Sequence, residues 1–384
     1  MDPLGSTLLD LETWAVAHGL PRYRGRQIFD RIHRLLSPDY ADARELPAAL
    51  RDRLAAELPP RRPEIVRRDR AADGSVKFGL RLADGALIEA VYMPGDARTS
   101  LANEFTDARA AGREAEGGRR EAGSTPAAEK FTVCLSSQTG CAVDCAFCVT
   151  GRLGGGRNLT AGEILGQLYA VLADAGRSHE GLRVVFMGMG EPLLNPDGVV
   201  LALEILFETL PPRRVTVSTS GITPALARLA ALPRRPNLAV SLNAADEATR
   251  TRLMPITRTY PLPGLIAAMR AWPLEPRRRI LVEYVLIAGV NDSPDDASRL
   301  ARLLRGIEAK VNVIPLNEDP TYLPEWKRPS EAVIDRFVKT LVDARWPVTV
   351  RRSRGPDASA ACGQLKGRLQ DPRRARMWPR GTRP

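Results

Sequence analysis

Phe131-Thr-Val-Cys-Leu135, then Ser-Ser-Gln-Thr-Gly, then Cys141-Ala-Val-Asp-Cys145-Ala-Phe-Cys148, is the stretch that decides the fold. An apolar run of strand length is followed by a polar turn and then three thiols within eight residues. Downstream, apolar strand candidates recur at Val184–Met187, Val215–Ser218, Leu238–Leu242, Ile280–Ile287 and Val311–Pro315. Helical stretches separate them, among them Thr160–Ala175, Pro224–Ala231, Ser293–Arg305 and Ser330–Ala344. Thr160 and Glu163 have the spacing of a capping box, in which side chains satisfy the first free amides of a helix. Six alternating strand–helix units predict a parallel α/β sheet, either open and doubly wound or barrel-like. In both, chemistry collects at the carboxyl ends of the strands.

Working outward, residues 1–70 read as a helical module. Tyr23, Ile28, Phe29, Ile32 and Leu35 recur at helical spacing, and Arg22, Arg24, Arg26, Arg31 and Arg34 fall on the other face. Residues 71–94 read as a β-hairpin extension. Val76, Phe78, Leu80 and Leu82 alternate, Asp84-Gly85 is a turn signal, and Leu87–Tyr92 returns. Residues 95–130, rich in Ala, Gly, Glu and Arg, lack apolar periodicity and read as a flexible insertion. The α/β unit occupies 131–352, with Pro347–Arg352 as an added edge strand. Residues 353–384 hold a cysteine loop and a basic tail.

The 384 residues carry 56 Lys+Arg against 45 Asp+Glu, a net charge of +11 that suits an acidic partner, nucleic acid before an anionic membrane. From Gly363 to Pro384 there are seven basic residues and one acid, and Leu20–Arg70 holds 13 Arg against eight acids. The middle of the chain is close to neutral. No apolar run is long enough to cross a membrane, and the amino terminus lacks the basic-then-apolar order of a secretory signal. Five cysteines make no disulfide framework, so a reducing cytoplasm is expected.

Cys141, Cys145 and Cys148 sit in a loop after a strand and can hold one soft metal centre together. A structural zinc takes four ligands, and Cys134, His179 and Cys362 stand at no familiar zinc spacing. Thiolates are the expected ligands of iron–sulfur clusters. Three cysteines on a four-iron cluster leave one iron open to a small ligand. Gly188-Met-Gly-Glu-Pro192 follows the second strand of the unit, where a glycine turn exposes backbone groups and Glu191 can meet an ammonium.

With Phe147 before its last cysteine, this pattern resembles the radical S-adenosylmethionine (SAM) superfamily. The resemblance implies a partial (β/α)6 barrel, here with the helical module and hairpin added, one [4Fe–4S] cluster on Cys141, Cys145 and Cys148, and SAM chelated by the open iron. Gly151–Thr160, Arg214–Gly221 and Ala360-Ala-Cys362-Gly-Gln-Leu365 are more particular. With Arg24–Phe29 and Glu89, they resemble the RlmN/Cfr-type rRNA adenine methyltransferases, and within them the branch acting on C2 of an adenine in 23S rRNA. Some members also act on tRNA.

The resemblance implies SAM contacts from Gly190, Glu191, Ser218, Ser241, Leu242, Asn243 and Asn317. Asn243 stands where some members have His. Cys362 is implied as the methyl carrier, with two SAM used per turnover. One methylates the sulfur, and the second supplies the radical that removes a hydrogen from that methyl group. Cys134 would then attack the sulfur of Cys362, leaving a transient disulfide and freeing the product. Radical addition suits the target, since an sp2 carbon between two ring nitrogens is itself electrophilic and mismatched to SAM. Glu89 is implied as the proton acceptor, with Cys134 competing for that role. A flavodoxin or ferredoxin would donate electrons to a monomer. The 95–130 insertion and the length of the basic tail depart from the family. Alternatives are the C8-methylating branch, a radical SAM activase of a protein partner, and a non-enzymatic RNA-binding or ribosome-assembly factor.

Overall fold

The computed structural model describes residues 1–37, 39–95, 129–152, 154–351 and 365. Most of the 95–130 insertion, the tail after 365 and Cys362 lie outside the described residues. Among the described residues ten strands form one sheet whose spatial order is their chain order. They are β1 (Glu64–Arg70), β2 (Val76–Arg81), β3 (Leu87–Pro94), β4 (Phe131–Cys134), β5 (Leu182–Phe186), β6 (Val215–Thr219), β7 (Asn237–Ser241), β8 (Ile280–Leu286), β9 (Ala309–Pro315) and β10 (Val348–Val350). β1 to β4 pair antiparallel, and β4 to β10 pair parallel. The sheet does not close, because β1 and β10 are its two edges. It is a partial barrel.

Glu64–Arg70 corrects the helical reading of 1–70. Pro59, Pro60 and Pro63 bar a helix from continuing, and this polar run gains its hydrogen bonds by pairing with β2. Ile65 and Val66 are only half-buried. Pairing rather than apolar alternation therefore fixes β1 as a strand.

The two faces of the sheet differ in chemistry. Val133, Val184, Val215, Val217, Val240 and Val282 belong to the main core, under helices such as α4 (Ala161–Asp174), α5 (Pro196–Phe207) and α10 (Glu331–Asp343). Each such buried side chain contributes about 1.5–3 kcal/mol. Cross-strand partners share a face. The register Val91↔Cys134↔Val185↔Thr216 and Ser218↔Ala239 therefore puts Cys134, Thr216 and Ser218 on the other, concave face. Ser241↔Glu283↔Asn312 continues it. Parallel strands are ordinarily apolar on both faces. Here the inner one carries Thr216, Ser218, Ser241, Glu283 and Asn312 among apolar residues such as Val185 and Ala239.

The amino-terminal helices α1 (Leu8–Ala17), α2 (Tyr23–Phe29) and α3 (Ala48–Glu57) dock on this frame. A Cβ at Gly25 would lie 2.3 Å from Glu12 Cα, so only glycine allows α2 to cross α1 this closely. His33 is fully buried, with Nδ1 2.7 Å from the Tyr169 hydroxyl of α4, which ties the module to the barrel. The arginine face expected here is largely committed internally. Arg22 pairs with Glu12 and Arg34 with Asp30, while Arg31 is buried against Asp42 and Glu45. Arg26 stays exposed.

Candidate active site

The carboxyl ends of the parallel strands open into one cleft of about 1020 Å³, mouth included. Cys141, Cys145 and Cys148 line it, with Gly190 and Glu191 after β5, Ser218 on β6, Ser241 and Asn243 at the end of β7, and Asn317 after β9. Of the expected SAM contacts, Leu242 alone is absent from the wall. Its side chain is fully buried in the core, its amide donates to the Glu283 carbonyl at 3.0 Å, and its own carbonyl accepts from Arg250.

The cysteine loop is shaped by local chemistry. Asp144 adopts φ +57°, a left-handed conformation that Asp tolerates better than most residues. The amide of Cys141 donates to the Gly154 carbonyl at 2.9 Å, and that of Ala146 donates to Leu253 at 2.8 Å, fastening the loop to α7 (Glu247–Leu253). Burial and the neighbouring Cys148 push the Cys141 thiol up to about 12, and the same causes raise Cys145 well above the ordinary thiol value. Cys141 and Cys145, crowded beside Cys148, resist ionising until a cationic centre compensates them. Among the described residues no group of three His, Cys, Asp or Glu could hold a single metal ion. The donor set fits a cluster, in which each thiolate takes its own iron, and does not fit one zinc.

The glycine turn is built against the segment after β4. A Cβ at Gly188 would lie 2.7 Å from the Leu135 carbonyl carbon, and Gly190 has φ +95°. The Glu191 amide donates to Gln138 Oε1 at 2.9 Å. Its carboxylate is buried, yet it accepts from the Thr219 hydroxyl at 2.6 Å, the Ser220 amide at 2.7 Å and the Leu193 amide at 3.0 Å. Burial raises its pKa, and these donors pull it back. Asn243, at φ +59°, accepts from the Val285 amide at 2.8 Å, and its Nδ2 lies 3.2 Å from Met254 Sδ.

Arg250 was not legible in the sequence. It lies on α7, fully buried, and joins two loops of the cleft. Nε donates to the Leu242 carbonyl at 3.1 Å, Nη1 to Thr257 Oγ1 at 2.8 Å, and Nη2 to the Ser220 carbonyl at 2.5 Å and the Ser241 carbonyl at 3.4 Å. Burial lowers its pKa to about 10, offset by Cys145, Glu247 and Glu191, so it remains a cation at neutral pH. One arginine in a seven-residue helix gives no periodic signal that would single it out.

Glu89 and Cys134 lie outside the cleft wall, on the concave face. Glu89 is buried on β3 with Lys77 Nζ 3.6 Å from Oε1, and its carbonyl accepts from the Ser136 hydroxyl at 2.6 Å. Cys134 is buried on β4 beside Val91 and Val185. Leu365 is buried, and its carbonyl accepts from Thr150 Oγ1 at 2.9 Å, two residues past Cys148. Arg157, in the expected 151–160 motif, pairs with Asp84 of the hairpin turn at 2.7 Å and with Glu163 of α4 at 2.6 Å. Among the described residues no helix is long and apolar enough to cross a membrane.

Residues 135–304 match the Radical SAM superfamily model. A dual-specificity RNA methyltransferase RlmN of Geotalea uraniireducens is 42% identical over 368 residues, covering 94% of this chain and 96% of the relative. The protein of the same name from Sorangium cellulosum is 44% identical over 370 residues, covering 92% of this chain and 93% of its own. The crystal structure of a radical SAM methyltransferase from Sphaerobacter thermophilus superposes with a TM-score of 0.81 at 42% identity, covering 96% of this chain and 99% of that one.

Proposed function

The chain belongs to the RlmN family of radical SAM RNA methyltransferases, and we propose that within it the chain methylates C2 of an adenine in 23S rRNA, with tRNA adenines as a second substrate. The observation that carries this reading is the single cleft wall shared by the three cysteines and Glu191. Radical SAM proteins hold a [4Fe–4S] cluster and SAM. We assign Cys141, Cys145 and Cys148 as the three ligands. When bound, the cluster supplies the electron that splits SAM into methionine and an adenosyl radical.

The chain's own residues do the rest. A carboxylate has about four acceptor sites, and three of those on Glu191 are occupied by protein donors. The remaining one is kept for the SAM ammonium, with the Gly190 backbone beside it. Ser218, Ser241 and Asn317 offer polar contacts along the wall, and Asn243 has a second amide hydrogen for the ligand. Leu242 contributes through its backbone alone. Two SAM are consumed. Cys362 takes a methyl group on sulfur from the first, then yields a hydrogen of that methyl to the radical from the second. The resulting methylene radical bonds to C2, and the adduct gives up the C2 proton together with one electron, which returns to the cluster. Glu89 accepts the proton lost from the base, beside Lys77. Cys134 attacks the sulfur of Cys362 and frees the product, leaving a disulfide. The anchoring of Leu365, three residues beyond Cys362 in sequence, next to the cluster loop supports that role.

The RNA backbone is held by exposed arginines of the amino-terminal module and by the basic tail. The target base is unstacked into the cleft at a cost of a few kcal/mol. A flavodoxin or ferredoxin donates the electron, and the chain acts as a cytoplasmic monomer. Mass spectrometry of 23S rRNA and tRNA from cells with and without the gene tests the reading. Gene-dependent 2-methyladenosine is expected, absent with Cys362→Ala. Gene-dependent 8-methyladenosine in its place overturns the regiochemistry.

A further inference from the structure

The amino ends of the same strands carry a second cavity. It holds about 370 Å³ and is lined by Arg213, Arg235, Arg278, Arg279, Asn237 and Trp272. Glu275 is the one acid on its wall. Each loop entering β6, β7 and β8 delivers an arginine run immediately before its strand: Arg213-Arg214, Arg234-Arg235 and Arg277-Arg278-Arg279. Five-residue strands separate this cavity from the SAM cleft by roughly 16 Å. We propose that this pocket is a binding site for a phosphate group, distinct from the catalytic cleft.

Four guanidinium groups around one small cavity repel each other, and the repulsion is least screened where solvent is scarce. Arg235, Arg278 and Arg279 are half-buried. Desolvation lowers the pKa of Arg278, and the nearby Arg213 lowers it further against Glu275. Among the described residues, Arg213, Arg235 and Arg278 keep most of their donors unspent. Arg278 Nη1 gives one bond to Asn237 Oδ1 at 3.2 Å, and Arg235 Nη1 gives one to the Leu232 carbonyl at 2.9 Å. Arg235 Nε is buried and bonded to nothing. The Arg213 guanidinium makes no hydrogen bond or ion pair among the described residues. Asn237 is held in place by donating to the Arg213 carbonyl at 2.9 Å. Forked, planar donors, partly desolvated at Arg235 and Arg278 and exposed at Arg213, match phosphate oxygens better than halide or water. The phosphate can belong to a free anion or to a nucleic-acid backbone, the second source resting on the RNA reading above.

The test uses the full chain and three variants: Arg213→Glu, whose side chain holds nothing else in place, Arg235→Ala/Arg278→Ala, and Arg336→Glu on exposed α10 as a charge control. Thermal midpoints are compared in millimolar inorganic phosphate and in chloride at equal ionic strength. The salt dependence of binding to a short single-stranded RNA is measured beside them. The pocket predicts that phosphate raises the midpoint of wild type and control by several degrees, and that both pocket variants lose the rise. An unchanged RNA salt slope then assigns the site to a free phosphate. A slope lower by about 0.7 per lost contact assigns it to the RNA backbone. If both pocket variants keep the wild-type response to phosphate and to RNA, the proposal is wrong. Because the SAM cleft is untouched by these substitutions, unmodified RNA in cells lacking the gene remains a separate question.

Discussion

The two ends of β6, β7 and β8 handle charge in opposite ways. At the carboxyl ends, the Glu191 carboxylate and the Arg250 guanidinium are both buried, and their hydrogen bonds go to strand-end hydroxyls, amides and carbonyls. At the amino ends, four arginines face one acid, and among the described residues Arg235 Nε and the Arg213 guanidinium have no hydrogen-bond partner. The first arrangement fixes a wall before any ligand arrives, so selectivity comes from position. The second stores unsatisfied charge, so affinity comes from whatever neutralises it. Substitutions at the first end should damage stability and ligand binding together. At the second they should change only the response to anions.

Cys145→Ala attacks the first end at its centre. Iron and sulfide content after anaerobic reconstitution should fall to background, with no methylated adenine produced. Retention of a full cluster would remove Cys145 from the ligand set. Arg250→Met comes next. It leaves the Ser220 carbonyl and the Thr257 hydroxyl without their donor and removes one of the two donors to the Leu242 carbonyl, which keeps the Ala244 amide. Charge-assisted bonds of this kind contribute about 1.5–3 kcal/mol each, and a total loss of about 3 kcal/mol or more is expected in urea unfolding. SAM affinity should fall at least about tenfold, equivalent to 1.4 kcal/mol. Unchanged affinity with lowered stability would reduce Arg250 to a core strut and weaken the contrast. Glu191→Gln retains shape but loses charge, so calorimetry should show weaker SAM binding with a smaller stability loss than Arg250→Met.

A third kind of charge handling sits at the join between module and barrel. Burial pushes His33 down to about 3 and His179 to about 4. Both are neutral in the fold, whereas the unfolded chain protonates them near pH 6.5. The unfolded state then binds more protons, so stability is complete above pH 6.5 and declines as pH falls toward 4. The slope approaches about 1.4 kcal/mol per pH unit from His33 alone. Unfolding midpoints from pH 7 to 5 should drop in wild type and drop about half as steeply in His33→Gln, where His179 alone remains linked. The smallest effect is expected at Arg157→Ala. It frees the hairpin turn from α4 at a half-exposed site, for about 1 kcal/mol.

What could be read in advance follows which physics leaves a local trace. The parallel strands announced themselves as apolar runs because their outer faces are covered by helices. Cys141, Cys145 and Cys148 stood out because chelation from one loop needs close spacing. The Glu64–Arg70 strand left no such trace, since its side chains are polar and its order comes from pairing with β2. Arg250 was silent for a different reason: its partners are backbone carbonyls from loops brought near only by the fold. Leu242 sits within a run of polar site residues, and only the strand's alternation turns it into the core. The polar residues of the inner face were hidden too, because single residues such as Thr216 and Glu283 barely interrupt an apolar run.

Every strand of the sheet pairs with its neighbours in the chain, from β1 through β10. No strand must wait for a distant segment before its backbone groups find partners. Such an order favours growth by accretion during synthesis, each new strand zipping onto an edge already in place as it leaves the ribosome. The leading hairpin gives that growing edge its first template, and the cleft is complete only when the late strands β8 and β9 have added Glu283 and Asn317 to its wall. Assembly is therefore vectorial, and the capacity to bind SAM should be one of the last properties the nascent chain acquires.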